Sequence, residues 1–271
     1  MTAVLSQDYL NRFGGIARLY GEQSLPILKQ AHFAVIGLGG VGTWVAEALA
    51  RSGIGNITLI EPDEICITNT NRQIHALQTT IGQSKNAILA ERLQLINPEI
   101  NVHSVEDFLD THNMRELIDR RFDIVIDAMD MAHIKAALVA YCSAIKLRLI
   151  VCGSSGGKLD PKRIKVTDLA HSQADPMLAK IRTQLFRHYN FARDKNRKFR
   201  VDAVFSDEHM VYPKPDGSVC ASKKALSDGV KLDCASGFGS STMVTGTFGF
   251  IAAARAVERL LQKHGMLKRN N

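Results

Sequence analysis

The sequence has few cysteines, and none of them forms the paired pattern typical of a zinc site. Five cysteines occur among 271 residues, and no two are separated by two residues, so a paired-cysteine zinc signature is absent. Their odd number and wide spacing favour reduced thiols in a cytoplasmic protein over a disulfide framework. The five are Cys66, Cys142, Cys152, Cys220 and Cys234.

The first residues lack the apolar core of a signal peptide, because Asp8, Arg12 and Arg18 lie within them. One later stretch, residues 237–257, is long enough to span a bilayer. It contains Ser, Thr and Gly throughout, and Arg255 lies near its end. We therefore expect a tightly packed helix, buried or at a dimer contact, and membrane association is disfavoured.

Neither sign of charge dominates the composition. The chain has 34 basic and 27 acidic residues and a formal net charge of +7, which is compatible with a polyanionic partner such as nucleic acid and equally with an ordinary basic enzyme. Residues 182–200, here called the basic segment, hold seven basic residues and one acidic residue. This pattern fits RNA contact, in which cations bind phosphate and rings stack on bases, and fits equally an amphipathic helix followed by a loop. Its aromatic residues are Phe186, Tyr189, Phe191 and Phe199.

A glycine-rich run, Gly37–Gly42, follows the apolar residues 32–36 and precedes the helix-like residues 44–50. Strand, glycine turn and helix in this order form the setting in which backbone N–H groups and a helix N-terminus hold phosphate. Gly37, Gly39, Gly40 and Gly42 are therefore candidate nucleotide contacts. The pattern alone fits NAD and ATP equally.

The chain lacks internal repeats and low-complexity linkers, and strands alternate with helices along its first part. Strands are predicted over residues 32–36, 56–60, 100–105, 122–128 and 147–152, and helices over residues 43–52, 84–96 and 132–145. Residues 8–30 are predicted as one or two short helices broken at Gly14-Gly15 and at Pro26. The alternation predicts an α/β fold with a Rossmann-like, doubly wound and mostly parallel sheet. Beyond residue 155 the rhythm changes, which predicts a C-terminal extension that adds strands and helices.

Polar residues after the second strand favour a triphosphate over a redox dinucleotide. Asp63, next to Glu61 at the end of that strand, can bind ribose hydroxyls of either nucleotide. Asn69, Arg72 and Gln73 follow, and an arginine there suits a triphosphate that must be held and polarised.

Three further polar residues complete the candidate set. Lys85 begins the next helix, where its ammonium can reach phosphate. Asp127 and Asp130 follow the fourth strand, at the edge where ligands bind, and carboxylates there suit Mg²⁺. Taken singly, Arg72 and Lys85 fit surface positions better, and Asp127 fits a helix cap. Only the ordered set is specific.

These motifs resemble those of the ubiquitin-activating-enzyme superfamily, especially its bacterial adenylyltransferases of the thiamine and molybdopterin pathways. That likeness covers about residues 10–155. Three segments, residues 12–21, 68–77 and 233–245, resemble the tRNA threonylcarbamoyladenosine dehydratases and extend the likeness over nearly the whole chain. The resemblance implies a single adenylating domain over residues 1–271. Its nucleotide-binding core would cover about residues 30–155 and its substrate and dimer region about residues 156–271.

The resemblance also implies ATP, Mg²⁺ and a tRNA that carries threonylcarbamoyladenosine. By resemblance Asp63 binds ribose, Asp130 binds the metal, and an N-terminal arginine, Arg12 or Arg18, reaches the nucleotide of the partner in a homodimer. A sulfur-relay protein is a further possible partner. The implied phosphate contacts are Asn69, Arg72 and Lys85. The residues that the resemblance implies for the reaction itself are Arg72, Lys85, Asp130 and, reaching over from the partner subunit, Arg12.

Four interpretations remain. The first is an ATP-dependent tRNA-modifying dehydratase, and the second is an adenylyltransferase acting on the C-terminal glycine of a small sulfur-carrier protein. The third is a nicotinamide-dependent dehydrogenase, and the fourth is a nucleotide-binding scaffold. The missing cysteine pairs and the basic segment disfavour the second, and the phosphate contacts disfavour the third. No cysteine is a clear thioester nucleophile, and the nearest candidate, Cys234, is expected to be a buried structural thiol.

Overall fold

The computed structural model describes residues 4–194, 196–214, 216–221 and 239–268. Its helices are α1 (Gln7–Tyr20), α2 (Ser24–Gln30), α3 (Gly42–Arg51), α4 (Lys85–Ile96), α5 (Met114–Leu117), α6 (Ala132–Ala144), α7 (Pro176–His188) and α8 (Thr242–Lys263). Its strands are β1 (His32–Ile36), β2 (Asn56–Ile60), β3 (Asn101–Val105), β4 (Ile124–Asp127), β5 (Arg148–Cys152), β6 (Ile164–Asp168), β7 (Asp202–Ser206), β8 (Tyr212–Pro213) and β9 (Val219–Cys220).

Seven strands form one sheet in the order β3-β2-β1-β4-β5-β7-β6, and β8 pairs with β9 in a separate hairpin. All neighbours in the large sheet are parallel except β6 and β7. The predicted Rossmann-like, mostly parallel α/β fold is confirmed. The order reverses between β1 and β4, and ligands of such sheets bind in the crevice at the carboxyl ends of those strands.

Each face of the sheet carries its own apolar core, since the strand side chains alternate between two layers of helices. One core joins β1 and β2 to α3, α4 and α8 through side chains such as Val35, Leu49 and Phe248. The other joins β4 and β5 to α6 and α7 through Val125, Leu138 and Leu185. The C-terminal extension therefore contributes to both faces of the sheet, with α8 on one and α7 on the other.

Helix α1 is continuous, so the predicted break at Gly14-Gly15 is wrong. Each glycine costs a helix interior about 1 kcal/mol relative to alanine. Two aromatic anchors outweigh that cost: Tyr9 and Phe13 are buried, and the Tyr9 hydroxyl donates to the carbonyl of Gly53.

The predicted break at Pro26 is wrong as well: Pro26 lies in the first turn of α2, where its missing N–H removes no intrahelical bond. The two helices are instead separated after Tyr20, where Gly21 is the C-cap of α1.

Helix α8 packs closely on α3 because small residues face it. A Cβ at Gly249 would lie 2.6 Å from the Cβ of Trp44 and 2.8 Å from the carbonyl oxygen of Val41, so only glycine permits this approach. This agrees with the packed helix expected within residues 237–257. Across the part of the chain that the structure describes, no helix is both long and apolar enough to cross a membrane.

Asp202, at the start of β7, ties α8 to the sheet. Arg259 and Arg255 both donate to its carboxylate, at 2.7 and 3.0 Å. Burial alone would raise the pKa of the Asp202 carboxyl, but the hydrogen bonds from Arg259 and Arg255 outweigh it and lower that pKa. A carboxylate of this kind stabilises the fold above its unfolded pKa of about 3.9, and the stabilisation is lost as the pH falls through its lower folded pKa.

Asp202→Asn is therefore expected to lower the free energy of unfolding by a constant amount between about pH 5 and 7, and by progressively less below about pH 4. Urea unfolding of both proteins at several pH values measures the difference. Glu91→Gln, at an exposed position on α4, is the matched control. A difference for Asp202→Asn that stays the same at every pH would contradict this assignment.

Candidate functional site

The glycine loop, Gly37–Gly42, lies between β1 and α3 at the carboxyl edge of the sheet. Gly37 has a φ of +84°, and a Cβ there would come within 3.0 Å of the backbone of Ala128. A Cβ at Gly42 would overlap the carbonyl oxygen of Gly37. Both ends of the loop therefore require glycine. The loop packs tightly against Ala128, directly after β4, which is the neighbour of β1 in the sheet.

Four consecutive backbone N–H groups of this loop, from Gly39 to Gly42, donate to no acceptor among the described residues. They lie at the N-terminus of α3, which carries the positive end of the helix dipole. Unpaired N–H donors in a row, together with that dipole, form a site for an anion such as phosphate. The loop thus has the donors that a nucleotide phosphate requires.

Lys85 and Asp63 lie side by side in this structure. Lys85 begins α4 and is 5% exposed, and its Nζ is 2.8 Å from the nearer carboxylate oxygen of Asp63 and 3.5 Å from that of Glu61. Burial raises the pKa of the Glu61 carboxyl, and Lys85 opposes that rise. The side chain of Asp63 is 54% exposed. Asp63, predicted to contact ribose, and Lys85, predicted to contact phosphate, therefore lie together on one side of the loop.

Arg72 lies against the loop on another side, because a Cβ at Gly40 would come within 3.1 Å of its Cγ. Its guanidinium donates to the carbonyl of Thr68 at 2.8 Å and to the side chain of Asn71 at 3.0 Å. Trp44 in α3 donates its indole N–H to the Arg72 carbonyl at 3.0 Å. The aliphatic part of Arg72 therefore packs on the loop at Gly40, and its guanidinium is held by Thr68 and Asn71 of the adjoining turn.

The two predicted amides of this turn have different settings. Asn69 is buried, and its side-chain oxygen accepts the N–H of Cys66 at 2.9 Å, so it shapes the turn. Gln73 is also buried, and its amide nitrogen lies 4.0 Å from the Cβ position of Gly39. The Gln73 side-chain oxygen has no hydrogen-bond partner within the described residues.

Asp127 is fully buried and forms an ion pair with Lys135 of α6, whose side chain is also fully buried, at 2.8 Å. Burial raises the pKa of the Asp127 carboxyl, and Lys135 opposes that rise. The expectation of an ATP contact from Asp127 therefore lacks support, because no part of its side chain reaches solvent. The alternative of a helix cap fails too, since Met131 is the N-cap of α6.

The ion pair nevertheless shapes the loop that carries Asp130. Lys135 also donates to the carbonyls of Asp127 and Met129, at 3.3 and 3.0 Å. Asp130, the next residue, is exposed at the carboxyl edge of the sheet. Sequence reasoning missed Lys135, although a lone lysine within the apolar residues 134–139 was a usable signal.

The N-terminal arginines contact neighbouring residues of α1. Tyr9 of α1 packs at Gly53, beyond the end of α3 that lies opposite to the glycine loop, and α3 is about 15 Å long. Arg12 is exposed and pairs with Asp8 at 2.8 Å, and the Arg18 guanidinium lies 3.5 Å from the Cβ position of Gly14. Among the described residues, neither arginine forms an ion pair or hydrogen bond with the glycine loop of its own chain.

Three of the four aromatic residues of the basic segment pack against one another, and the fourth, Tyr189, is exposed. Phe199 packs edge-on against Phe186 and Phe191, with ring centroids 6.0 and 5.0 Å apart, and Phe191 and Phe199 contact the core beneath α7. This packing favours the amphipathic helix and loop over base stacking for Phe186, Phe191 and Phe199. Five exposed cations of the segment form no ion pair within the described residues: Arg187, Arg193, Arg197, Lys198 and Arg200.

The described cysteines differ in their settings: Cys66 is exposed, and a hydrogen bond from Thr68 lowers its pKa, whereas Cys142 and Cys152 are buried. Burial raises the pKa of Cys142 and of Cys152 to about 12, which makes both thiols unreactive. Within that part, no group of three or more His, Cys, Asp or Glu side chains could hold a metal ion by itself. Cys234 lies outside the described residues. A cation at Asp130 would therefore also need ligands from a bound phosphate.

A Rossmann-like sheet with an anion-binding glycine loop, flanked by Arg72 and Lys85, defines a nucleotide-binding α/β protein. The ThiF family model matches residues 14–271, and the chain belongs to that family. The tRNA threonylcarbamoyladenosine dehydratase of Escherichia coli is 48% identical over 263 residues, which cover 97% of this chain and 98% of the relative.

Two further comparisons bear on the site. A crystal structure of the E. coli dehydratase in complex with ATP matches this structure with a TM-score of 0.85 at 43% identity, covering 97% of this chain and 99% of that one. The molybdopterin-synthase adenylyltransferase of E. coli is 34% identical over 150 residues, only 55% of this chain and 60% of its own length. The superfamily resemblance is confirmed, and the dehydratase likeness extends much further along the chain.

Proposed function

We propose that this chain is an ATP-dependent dehydratase that cyclises threonylcarbamoyladenosine in tRNA. The observation that carries the proposal is the run of four unpaired N–H groups bordered by Arg72 and Lys85. Such a set holds a polyphosphate rather than a nicotinamide dinucleotide, because two cations match its additional charge. The tRNA substrate follows from the relative that matches nearly the full chain.

The reaction begins at the threonine carboxylate of the modified base. One carboxylate oxygen attacks the α-phosphorus of ATP, and the bond to pyrophosphate breaks. The activated carbonyl carbon is then attacked by the neighbouring urea-like group of the same molecule, and AMP leaves with the original carboxylate oxygen. Because both groups belong to one substrate, proximity replaces an external nucleophile. The net change in the RNA is the loss of one water.

The chain's own residues bind and orient the reactants in this proposal. Asp63 accepts hydrogen bonds from the ribose hydroxyls, and the loop N–H groups, Arg72 and Lys85 bind the phosphates. Gln73 and Asn69 support the phosphate side, Asn69 through the turn that it shapes. Asp130 would hold Mg²⁺ together with the phosphates of the nucleotide, and the ion would supply positive charge there.

The proposed assembly is a cytoplasmic homodimer of a single adenylating domain that spans the chain. Arg12 is the first candidate to reach the partner's nucleotide, and Arg18 is the second. The contact of Tyr9 with Gly53 supports this, because it anchors α1 at the end of α3 opposite to the glycine loop. A sulfur-relay protein is a possible further partner.

The proposal is tested by pyrophosphate release from labelled ATP. The protein is incubated with tRNA that carries threonylcarbamoyladenosine, with the same tRNA lacking that group, or with a small sulfur-carrier protein. Release that requires the modified tRNA supports the dehydratase. Release that requires the carrier protein and ignores the tRNA would replace the proposal with carrier activation, which the shorter likeness to molybdopterin-synthase adenylyltransferase disfavours.

The exposed cations of the basic segment are proposed to bind tRNA phosphates. Arg193→Ala/Arg197→Ala is expected to weaken tRNA binding at least tenfold, and to lower the slope of log affinity against log salt by about 2, one for each lost contact. Filter binding at several salt concentrations measures both. Arg115→Ala/Lys162→Ala removes two exposed cations outside the segment and should change neither quantity. An unchanged slope in the first variant would exclude these arginines.

A further inference from the structure

Both backbone polar groups of Leu38, the second residue of the glycine loop, are bound by buried side chains. The Leu38 N–H donates to a carboxylate oxygen of Glu61 at 2.6 Å. The Leu38 carbonyl accepts from Nε2 of His75, which is 3.2 Å away. Leu38 is fully buried, His75 is 1% exposed and Glu61 is 8% exposed. Glu61 and His75, which belong to two separate segments, thus both bind the backbone of Leu38 on its buried side.

The contact to the carbonyl determines the tautomer of His75. A carbonyl only accepts hydrogen bonds, so Nε2 carries the proton and Nδ1 does not. Nδ1 is buried and has no partner within the described residues. Burial lowers the pKa of the His75 imidazole to about 4, so the ring is neutral near pH 7. Among the described residues, the hydrogen bond of this ring is therefore the one to the loop.

Glu61 joins three parts of the site through a single carboxylate. One oxygen accepts the Leu38 N–H, and the other lies 3.2 Å from the backbone nitrogen of Asp63 and 3.5 Å from Nζ of Lys85. One buried carboxylate therefore contacts the glycine loop, Asp63, which is proposed to bind ribose, and Lys85, which is proposed to bind phosphate. His75 contributes the contact that Glu61 cannot make, on the carbonyl side of Leu38.

A planar peptide bond connects this carbonyl to the first unpaired donor. The Leu38 carbonyl and the Gly39 N–H belong to the same trans peptide unit, so they point in opposite directions. Fixing the carbonyl on His75 therefore fixes the direction of the Gly39 N–H. Glycine at the next two positions leaves the loop few intrinsic constraints, which makes an external anchor necessary.

We infer that His75 is a positioning residue for the phosphates of ATP, acting through the Leu38–Gly39 peptide rather than by contact with the nucleotide. The inference rests on the proposed function, since it assumes that the loop binds ATP. In this inference the buried, neutral imidazole of His75 fixes the direction of the Gly39 N–H, the first of the four unpaired donors. Asn69 and Gln73 have no comparable contact with the loop backbone.

The test compares three variants by calorimetric titration with ATP. His75→Leu removes the donor and is expected to raise the Kd for ATP about tenfold, the value of one buried hydrogen bond. His75→Gln retains an N–H at similar reach and is expected to bind within threefold of the wild type. Asn97→Ala, which removes a buried bond to the Ile54 carbonyl at the other end of the sheet, is the matched control.

A purely structural role predicts a different result, because partial unfolding lowers the bound fraction without changing the Kd of folded molecules. An unchanged Kd in His75→Leu would overturn the inference, as would equal weakening in His75→Gln or in Asn97→Ala. His75→Asn, whose shorter amide falls short of the carbonyl, supplies the same comparison if the leucine variant does not fold. Failure of the wild-type chain to bind ATP would instead contradict the proposed function.

Discussion

Lys135→Met is expected to lower the free energy of unfolding by about 3–5 kcal/mol, because it leaves the buried Asp127 carboxylate without its cation. The variant also removes the donor to the carbonyls of Asp127 and Met129. Methionine has a similar volume to lysine, so loss of packing contributes little. Urea unfolding at pH 7 measures the change.

The control for this prediction is the double variant Asp127→Asn/Lys135→Met. Asparagine retains an oxygen for the Met129 N–H, which the Asp127 carboxylate accepts at 3.1 Å, but it carries no charge. We expect the double variant to recover at least half of the stability lost in the single one, because no unpaired charge remains buried. Equal instability of the two variants would mean that packing, not charge, explains the loss.

Arg72→Ala is expected to reduce pyrophosphate release about 10²–10³-fold, the usual effect of removing one donor that stabilises developing charge. The aliphatic part of Arg72 packs at Gly40, and Thr68 and Asn71 hold its guanidinium in the turn next to the loop. Initial rates with saturating ATP and modified tRNA measure the effect.

Two variants control the Arg72 experiment. Arg72→Lys keeps the charge but loses the planar fork, and it should recover only part of the rate. Arg51→Ala, at the far end of α3, removes a surface arginine that pairs with Glu47 and should leave the rate unchanged. A normal rate in Arg72→Ala, with a normal melting temperature, would remove Arg72 from the proposed site.

Local patterns predicted the first half of the fold closely. The strands at residues 32–36 and 56–60 have the predicted bounds, because each is a short apolar run bounded by polar residues or glycine. The break at Gly14-Gly15 failed because the anchors of α1 are tertiary: Tyr9 and Phe13 reach Gly53, about 40 residues away in the chain. Helix propensity carries no information about such a contact.

The sequence predicts which residues lie near the glycine loop, but it does not predict how some of the candidate residues are packed. The positions of Asp63, Arg72 and Lys85 near the loop follow from motif order and strand direction. The burial of Asp127 does not, because it depends on Lys135, eight residues further on and in another element. The packing of Phe199 on Phe186 and Phe191 likewise depends on how the chain after α7 folds back. The contact of His75 with the loop is not predicted from the sequence, because a single histidine forms no recognisable spacing pattern with other residues.

The start of α8 contacts the turn that carries Asn71 and Arg72, and this determines when during synthesis the nucleotide site is completed. Thr242 donates to the Asn71 carbonyl at 2.7 Å, and a Cβ at Gly40 would lie 3.3 Å from Thr245. The glycine loop leaves the ribosome about 200 residues before α8 does. Its strand and helix therefore exist early in synthesis, but one wall of the nucleotide site does not. The glycine loop is thus translated early but is among the last parts of the molecule to reach its final surroundings.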